Sequence, residues 1–376
     1  MKPRQTRVAV VGAGIVGAAC AAAMAREGFR VVVLDHRPAG SGATAAGMGH
    51  ITVMDDSEAQ FALCRYSQTL WDALAPTLPK SAEFTRYGTI WIAADDEEMA
   101  EVHRKQSYYS QRSLESRALS GEALAAMEPN LRTGLAGGLL IPGDSVVYPP
   151  VVAQFLLDDA VRLGAEVRTN ARVVALSGGE VKLEDGTRVE ADFCVNAAGT
   201  AAVELTPDLE IRPRKGHLVI TDRYPGFVNH QLLELGYLKS AHGSDGDSVA
   251  FNVQPRPTGQ LLIGSSRQFG AEGGAVEYRM IHRMLARATA YMPGLAGLSA
   301  IRTWTGFRAA TPDSLPFIGP HAEDAKLLVA AGHEGLGITT SLATAELIID
   351  HLLGRESKIP AAPYLPSRSL AAAHHG

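Results

Sequence analysis

Cysteine is scarce in this chain: three in 376 residues, Cys20, Cys64 and Cys194, far apart and with no Cys-x-x-Cys pairing. That argues against a disulfide framework and a thiolate zinc site, and it fits a reducing, cytoplasmic compartment, with peripheral association at an inner membrane left open. Long basic runs are missing too. Lys and Arg number 35 against 40 Asp and Glu, a formal charge of −5, so nucleic acid has no electrostatic footprint to bind. The sequence holds no P-loop, no metal-ligand cluster and no Ser-His-Asp order, which removes the main hydrolytic chemistries. Repeats and low-complexity tracts are absent as well. One long uncharged run does exist, Val8–Ala25 behind the basic Met1–Arg7, and it imitates a signal peptide or membrane span. Its interruption by Gly12, Gly14 and Gly17 argues for a different use.

What is present describes a globular protein. Apolar residues make up 46% and charged ones 20% of a chain long enough for two domains. Val8–Val11, Ala18–Arg26 and Arg30–Leu34 read as a β-α-β unit ending in Asp35. Ser57 is placed to cap a helix carrying Phe61, Cys64, Leu70, Trp71 and Leu74, which is expected to pack on the sheet. Tyr87–Ala93 reads as a strand, and Asp95 caps a helix through Glu101, Arg104 and Lys105 whose charge predicts a solvated face. A helix over Pro149–Leu163 ends at Gly164, Glu166–Leu176 returns as a strand, a hairpin turns at Asp185-Gly186, and Phe193–Asn196 is an apolar strand. Lys215–Thr221, Ser248–Val253 and Gln260–Gly264 suggest a mostly antiparallel second sheet. Lys326–Ala330, a glycine-rich turn and a helix from about Thr340 to Leu353 close the fold, and the tail after Pro360 is expected to be loosely ordered.

The chemistry begins at Gly12-Ala13-Gly14-Ile15-Val16-Gly17. The first glycine permits the tight turn, the second lets a pyrophosphate approach the backbone, and the third lets helix and strand pack, with the helix N-terminus facing the phosphates. Asp35 stands where an acid accepts from both ribose hydroxyls of an adenosine. NAD and FAD share that half, so the fingerprint does not separate them. Three further segments favour the bulkier flavin: the small-residue run Ser41–Gly49, with Thr44, Ala45, Ala46, Gly47 and Met48; the strand end Asn196-Ala197-Ala198-Gly199; and Gly332-His333-Glu334-Gly335-Leu336-Gly337, which opens a second helix N-terminus.

On these segments, together with Thr311-Pro312-Asp313, Leu315-Pro316 and Ile318-Gly319, the sequence resembles the D-amino acid oxidase-like family of FAD-dependent flavoproteins nearly end to end. That family includes glycine and sarcosine oxidases, D-amino acid dehydrogenases, hydrogen cyanide synthase subunits and D-hydroxyproline dehydrogenases. Met48–Asp56 and Gly332–Thr344 look most like the last branch. The resemblance implies an α/β fold: a Rossmann-type FAD-binding domain (1–85, 145–210 and 300–376) with a second, mostly antiparallel substrate domain (86–144 and 211–299). It implies hydride transfer from the carbon next to nitrogen of a small D-amino or imino acid, D-proline and D-hydroxyproline favoured, to FAD. Glycine or sarcosine oxidation, or a flavin subunit active only in a hetero-oligomeric complex, are the alternatives. Oxygen, a quinone and a partner subunit all stay open as electron acceptor, as do homo- and hetero-oligomers.

The resemblance also assigns roles. Arg308, in Thr305-Gly306-Phe307-Arg308, matches the arginine that pairs with the substrate carboxylate, although Ala309 follows where relatives often have proline. Gly335, Leu336, Gly337, Ile338 and Thr339 are expected to present N–H groups to the flavin's pyrimidine edge. His333 is either a flavin neighbour or a satisfied core histidine, and Glu334 either a substrate contact or a solvated loop acid. His50 is expected near the isoalloxazine without a covalent bond, and Gly306 stands where a cysteinyl link would need a thiol, so FAD is expected to be held non-covalently. Asn252 and Gln254 alternate with Phe251 and Val253, so they share one face of the second sheet and are candidates for the substrate cavity. His36, Arg37, Val173, Ala198 and Gly199 complete the expected cofactor contacts, whereas Met48 and Trp304 are read as packing residues rather than catalysts.

Overall fold

A computed structural model of the chain describes residues 3–236, 246–271 and 273–368. The chain divides into two compact units, one of Met1–Ala82, Val147–Pro213 and Phe307–Gly376, the other of Glu83–Val146 and Arg214–Gly306.

The first unit is built on a six-stranded sheet in the order Phe317–Pro320, Leu327–Ala331, Phe193–Asn196, Arg7–Val11, Arg30–Leu34 and Glu166–Arg168. All neighbours run parallel except Phe317–Pro320, which is antiparallel to Leu327–Ala331. Strands of this kind are covered on both faces, and their β-branched runs are correspondingly buried. The first helix, Ile15–Arg26, packs between the Pro149–Arg162 helix and the C-terminal helix, Gly337–Leu353. Its alanines keep those neighbours close: Ala18, Ala21 and Ala22 have no exposed surface.

Three sequence expectations are corrected here. The stretch Glu166–Leu176 is two strands, Glu166–Arg168 at the edge of the parallel sheet and Val173–Leu176 in a separate three-stranded meander with Glu180–Leu183 and Arg188–Glu190. The break falls at Asn170, which adopts φ 57, a left-handed conformation a strand cannot contain. The helix capped by Ser57, Glu58–Leu74, packs against the C-terminal helix rather than on the sheet. Ser67 Oγ accepts from the Ala343 N–H at 3.2 Å and Trp71 Nε1 donates to Thr339 O at 3.0 Å. The tail after Pro360 is ordered through residue 368: Tyr364 is buried and its hydroxyl donates to Ala59 O at 2.6 Å. Residues 369–376 lie outside the described part.

The second unit is an eight-stranded sheet ordered Ala300–Ala310, Arg212–Arg223, Gln260–Phe269, Ser248–Pro255, Gln231–Glu234, Thr89–Ala93, Gly137–Ile141 and Arg117–Ser120. Gln231–Glu234 runs parallel to Thr89–Ala93, and Ser248–Pro255 is antiparallel to both its neighbours. One face packs on the helix Tyr278–Tyr291 through Ile90, Leu232, Phe251, Val253 and Met284, with the Phe251 and Tyr291 rings stacked at 4.6 Å. The Asp95-capped helix, Asp96–Gln111, is not solvated all round: Val102, Lys105 and Tyr109 are buried, because a charged helix still turns one face inward every third or fourth residue.

Candidate functional site

The glycine fingerprint sits at the C-terminal edge of the parallel sheet, where the strand Arg7–Val11 hands over to the first helix. Gly12 has φ 111, a conformation that favours glycine, and a Cβ there would collide with the Ala197 carbonyl oxygen. A Cβ at Gly17 would collide with the Gly12 carbonyl oxygen. The strand end Asn196-Ala197-Ala198-Gly199 therefore lies against the turn, held by Asn196 Nδ2, which donates to Ala202 O and Thr206 Oγ1. Gly14 is the N-cap of the first helix, with no side-chain cap and no acid in the first turn; Ile15 N–H is taken by Thr44 Oγ1 at 3.0 Å. Gly14, Val16, Ala198 and Gly199 are all partly exposed around this end.

Asp35 is fixed with its carboxylate toward the turn. Oδ2 accepts from the Ala13 N–H at 2.7 Å and Oδ1 from the Arg37 N–H at 2.8 Å, leaving each oxygen a further lone pair. Exposed His36 and Arg37 follow, with Arg37 Nε donating to His36 Nε2 at 2.8 Å. Val173 is half-buried at the start of its meander strand.

The second helix N-terminus lies beside the first. A short helix, Ala43–Ala46, carries buried Thr44 and exposed Ala45, and a Cβ at Gly47 would stand 3.0 Å from Ile338 Cδ1. A Cβ at Gly337 would stand 3.4 Å from His333 Cβ and 3.9 Å from Val16 Cγ2. The C-terminal helix starts at Gly337, earlier than the expected Thr340, because Leu336 is its N-cap; here too there is no capping side chain and no acid in the first turn. Thr339 Oγ1 donates to His50 O at 3.0 Å and accepts from Thr52 N–H at 3.2 Å, which ties the half-buried His50 to the helix. Met48 is half-buried, and Trp304 lies under the Arg302 guanidinium at 5.4 Å.

His333 is buried and its Nε2 is 2.9 Å from Thr344 Oγ1. That hydroxyl already donates to Thr340 O, so His333 Nε2 carries the hydrogen. Burial pushes its pKa down to about 3. Glu334 adopts φ 47 and its N–H donates to Ala309 O at 2.9 Å. The turn thereby brings Gly335 alongside Arg308, whose Nε lies 3.8 Å from the Gly335 Cβ position. In the second unit, Asn252 and Gln254 share the sheet face opposite Phe251 and Val253. Both are buried, so this is no solvated face, and Asn252 Oδ1 has no hydrogen-bond partner. Gly306 lies half-buried on the strand Ala300–Ala310.

Sequence reasoning named the strand end holding Ala197 but not the packing of its carbonyl against the first glycine, and it missed Thr344 as the partner that fixes the His333 tautomer. Thr340 and Thr344 at i and i+4 on one helix face were the available signal for the latter. Among the described residues no group of histidines, cysteines or acids could hold a metal, and no helix is long and apolar enough to cross a membrane. The three cysteines are free and buried.

Two helix N-termini without an acid in the first turn, a collision-limited glycine turn and Asp35 thus lie together at this end of the sheet. Comparison with known proteins names the family. Residues 7–351 match the family model described as FAD dependent oxidoreductase. The chain belongs to this family, and its cofactor is FAD. It is 30% identical over 379 residues to glycine oxidase of Geobacillus kaustophilus, covering 96% of this chain and 97% of that one. It is 26% identical over 416 residues to the hydrogen cyanide synthase subunit HcnC of Pseudomonas aeruginosa, covering 96% and 95%. The crystal structure of the Geobacillus kaustophilus glycine oxidase superposes with a TM-score of 0.86 at 27% identity, over 97% of this chain and 100% of that chain. The L-proline dehydrogenase of P. horikoshii shares the fold, with a TM-score of 0.86 at 23% identity over 97% and 98%.

Proposed function

We propose that this FAD-dependent oxidoreductase oxidises the carbon next to nitrogen in a small amino or imino acid, with D-proline and D-hydroxyproline as the favoured substrates. The observation that carries the reading is the approach of the Arg308 guanidinium to the turn that opens the C-terminal helix. A guanidinium and a helix N-terminus both attract negative charge, so a substrate carboxylate beside an electron-accepting ring suits this place.

FAD, when bound, accepts the hydride from that carbon. Gly12, Gly14 and Gly17, with the N–H of Val16, would hold its pyrophosphate beside Ile15, whose own N–H is taken by Thr44, and Asp35 would accept from its ribose hydroxyls, with His36, Arg37, Val173, Ala198 and Gly199 around the adenosine half. Thr44, Ala45, Ala46, Gly47 and Met48 would line the ring's surroundings. The N-terminus at Gly335, Leu336, Gly337, Ile338 and Thr339 would stand at the pyrimidine edge, with neutral His333 behind it. Attachment is non-covalent. Arg308 holds the substrate carboxylate by a fork that a lysine does not reproduce. In the second unit Asn252 Oδ1 is a buried acceptor without a partner, on the same sheet face as Gln254, and in the first unit Glu334 and His50 are further candidate substrate contacts. Because the amine binds neutral, alignment rather than a strong base is what the residues provide.

The glycine oxidases among the relatives support a second reading, oxidation of glycine or sarcosine. The HcnC relatives, named as subunits, support a third, in which this chain works within a hetero-oligomer. Anaerobic titration of the purified yellow protein with D-proline, D-hydroxyproline, glycine, sarcosine and common D-amino acids decides among them. Bleaching by the cyclic imino acids supports the first reading and bleaching by glycine or sarcosine the second. A yellow protein that none of them bleaches refutes the first two and favours a required partner.

A further inference from the structure

We infer that Arg368, near the end of the chain, is a positioning residue for Arg308, acting through the loop 311–316; this rests on the reading of Arg308 as the carboxylate clamp. Arg308 sits near the end of its strand, three residues before Thr311. Ser314 stands at φ 59, and local support comes from Thr311 Oγ1, which donates to Leu315 O at 2.8 Å, and from Asp313 Oδ1, which accepts from Leu315 N–H at 3.1 Å. Left-handed backbone at a serine persists only where its surroundings impose it.

Arg368 imposes it. Its side chain is only 9% exposed, and its fork grips Asp313, Nε to Oδ2 at 2.7 Å and Nη2 to Oδ1 at 2.9 Å. Nη2 also donates to Leu315 O at 2.7 Å, and Nη1 to Pro316 O at 3.1 Å, Tyr364 O at 3.2 Å and Leu365 O at 3.3 Å. The Phe317 ring lies 4.2 Å from the guanidinium carbon. One guanidinium thus ties the tail to three successive parts of the loop. The loop in turn abuts the turn that faces Arg308: Thr311 Cγ2 is 2.6 Å from the Cβ position of Gly332, and Ala309 O accepts the Glu334 N–H. Bidentate capture of a carboxylate depends on the fork being held to within a fraction of an ångström, so slack in this loop reaches the substrate. The tail has its own anchors in Tyr364 and in Leu365, whose Cδ2 is 2.8 Å from the Cβ position of Gly319, so loss of Arg368 need not detach it.

The test is a double-mutant cycle on the FAD-loaded protein, with acetate as the carboxylate probe and the flavin absorbance difference as the readout of its Kd. Arg308→Ala is expected to weaken acetate by roughly tenfold or more. Arg368→Ala is expected to weaken it by roughly three- to tenfold, with Arg368→Lys between it and the wild type, because an ammonium keeps the charge but not the fork. In the Arg308→Ala background, Arg368→Ala should add no further loss. If Arg368→Ala lowers the melting temperature while acetate binding stays at the wild-type Kd, Arg368 is structural only and the inference fails, with the Arg308 reading intact. If Arg308→Ala itself leaves acetate binding unchanged, both fall. Should Arg368→Ala not yield folded protein, Arg368→Lys decides on the same Kd.

Discussion

Acidification should reveal His333. In the folded chain its ring is buried, neutral and bonded to Thr344, with a pKa of about 3, against about 6.5 when unfolded. The unfolded chain therefore binds a proton that the native one refuses throughout the window from about pH 6.5 down to about pH 3. The stability this group confers is fully present above pH 6.5 and is lost as pH falls. Each pH unit inside the window costs about 1.4 kcal/mol. Between pH 7.5 and pH 5.0 only the last 1.5 units count, a loss of about 2 kcal/mol assignable to this residue. Carboxylates elsewhere also titrate, so the measurement is a comparison: urea unfolding of the wild type and of His333→Gln at both pH values, with saturating FAD. Glutamine keeps a donor for Thr344 Oγ1 but cannot be protonated. The wild type should lose about 2 kcal/mol more than the variant. Equal losses in the two proteins would refute the argument, and they would mean that the imidazolium finds a partner or solvent in the native state.

Three further outcomes follow from the site. Gly17→Ala forces a methyl group against the Gly12 carbonyl, so the helix must shift; the variant should purify colourless or bind FAD at least roughly a hundredfold more weakly, and FAD affinity at the wild-type level would contradict the packing. Asp35→Ala removes the proposed ribose acceptors and strands the Ala13 and Arg37 N–H groups, so equilibrium dialysis should show FAD Kd rising by roughly tenfold to a hundredfold; unchanged retention would take Asp35 out of the site. Ser57→Ala loses the cap of a helix that packs on the C-terminal helix, and it should cost about 1 kcal/mol of stability without altering the visible spectrum.

The site divides by the range of the contacts that make it. The fingerprint and Asp35 were legible because strand, turn, helix and acid are one continuous segment in which each glycine answers a local collision or dihedral. The Gly332–Gly337 turn was legible for the same reason, although its helix begins a little earlier than propensity suggests, since an uncapped glycine start gives little signal in sequence. The Ser57 helix was found but placed wrongly. Its apolar spacing says that one face is buried, not against what, and Ser67 and Trp71 reveal the partner only once the C-terminal helix is beside them.

What the sequence by itself determined is therefore the glycine turn with its strand and helix, the two-domain α/β plan and the FAD-dependent family, because these rest on local conformation, periodicity and motif. Only the tertiary structure decided that Arg308 stands beside Gly335, that the His333 tautomer is fixed by Thr344, that Asn252 is buried with an unused acceptor, and that the tail is fastened at Arg368. Each of these depends on residues brought together from distant parts of the chain or on the burial of a whole sheet face. Their free energy comes from desolvation and paired charge in the folded interior, which no local pattern records.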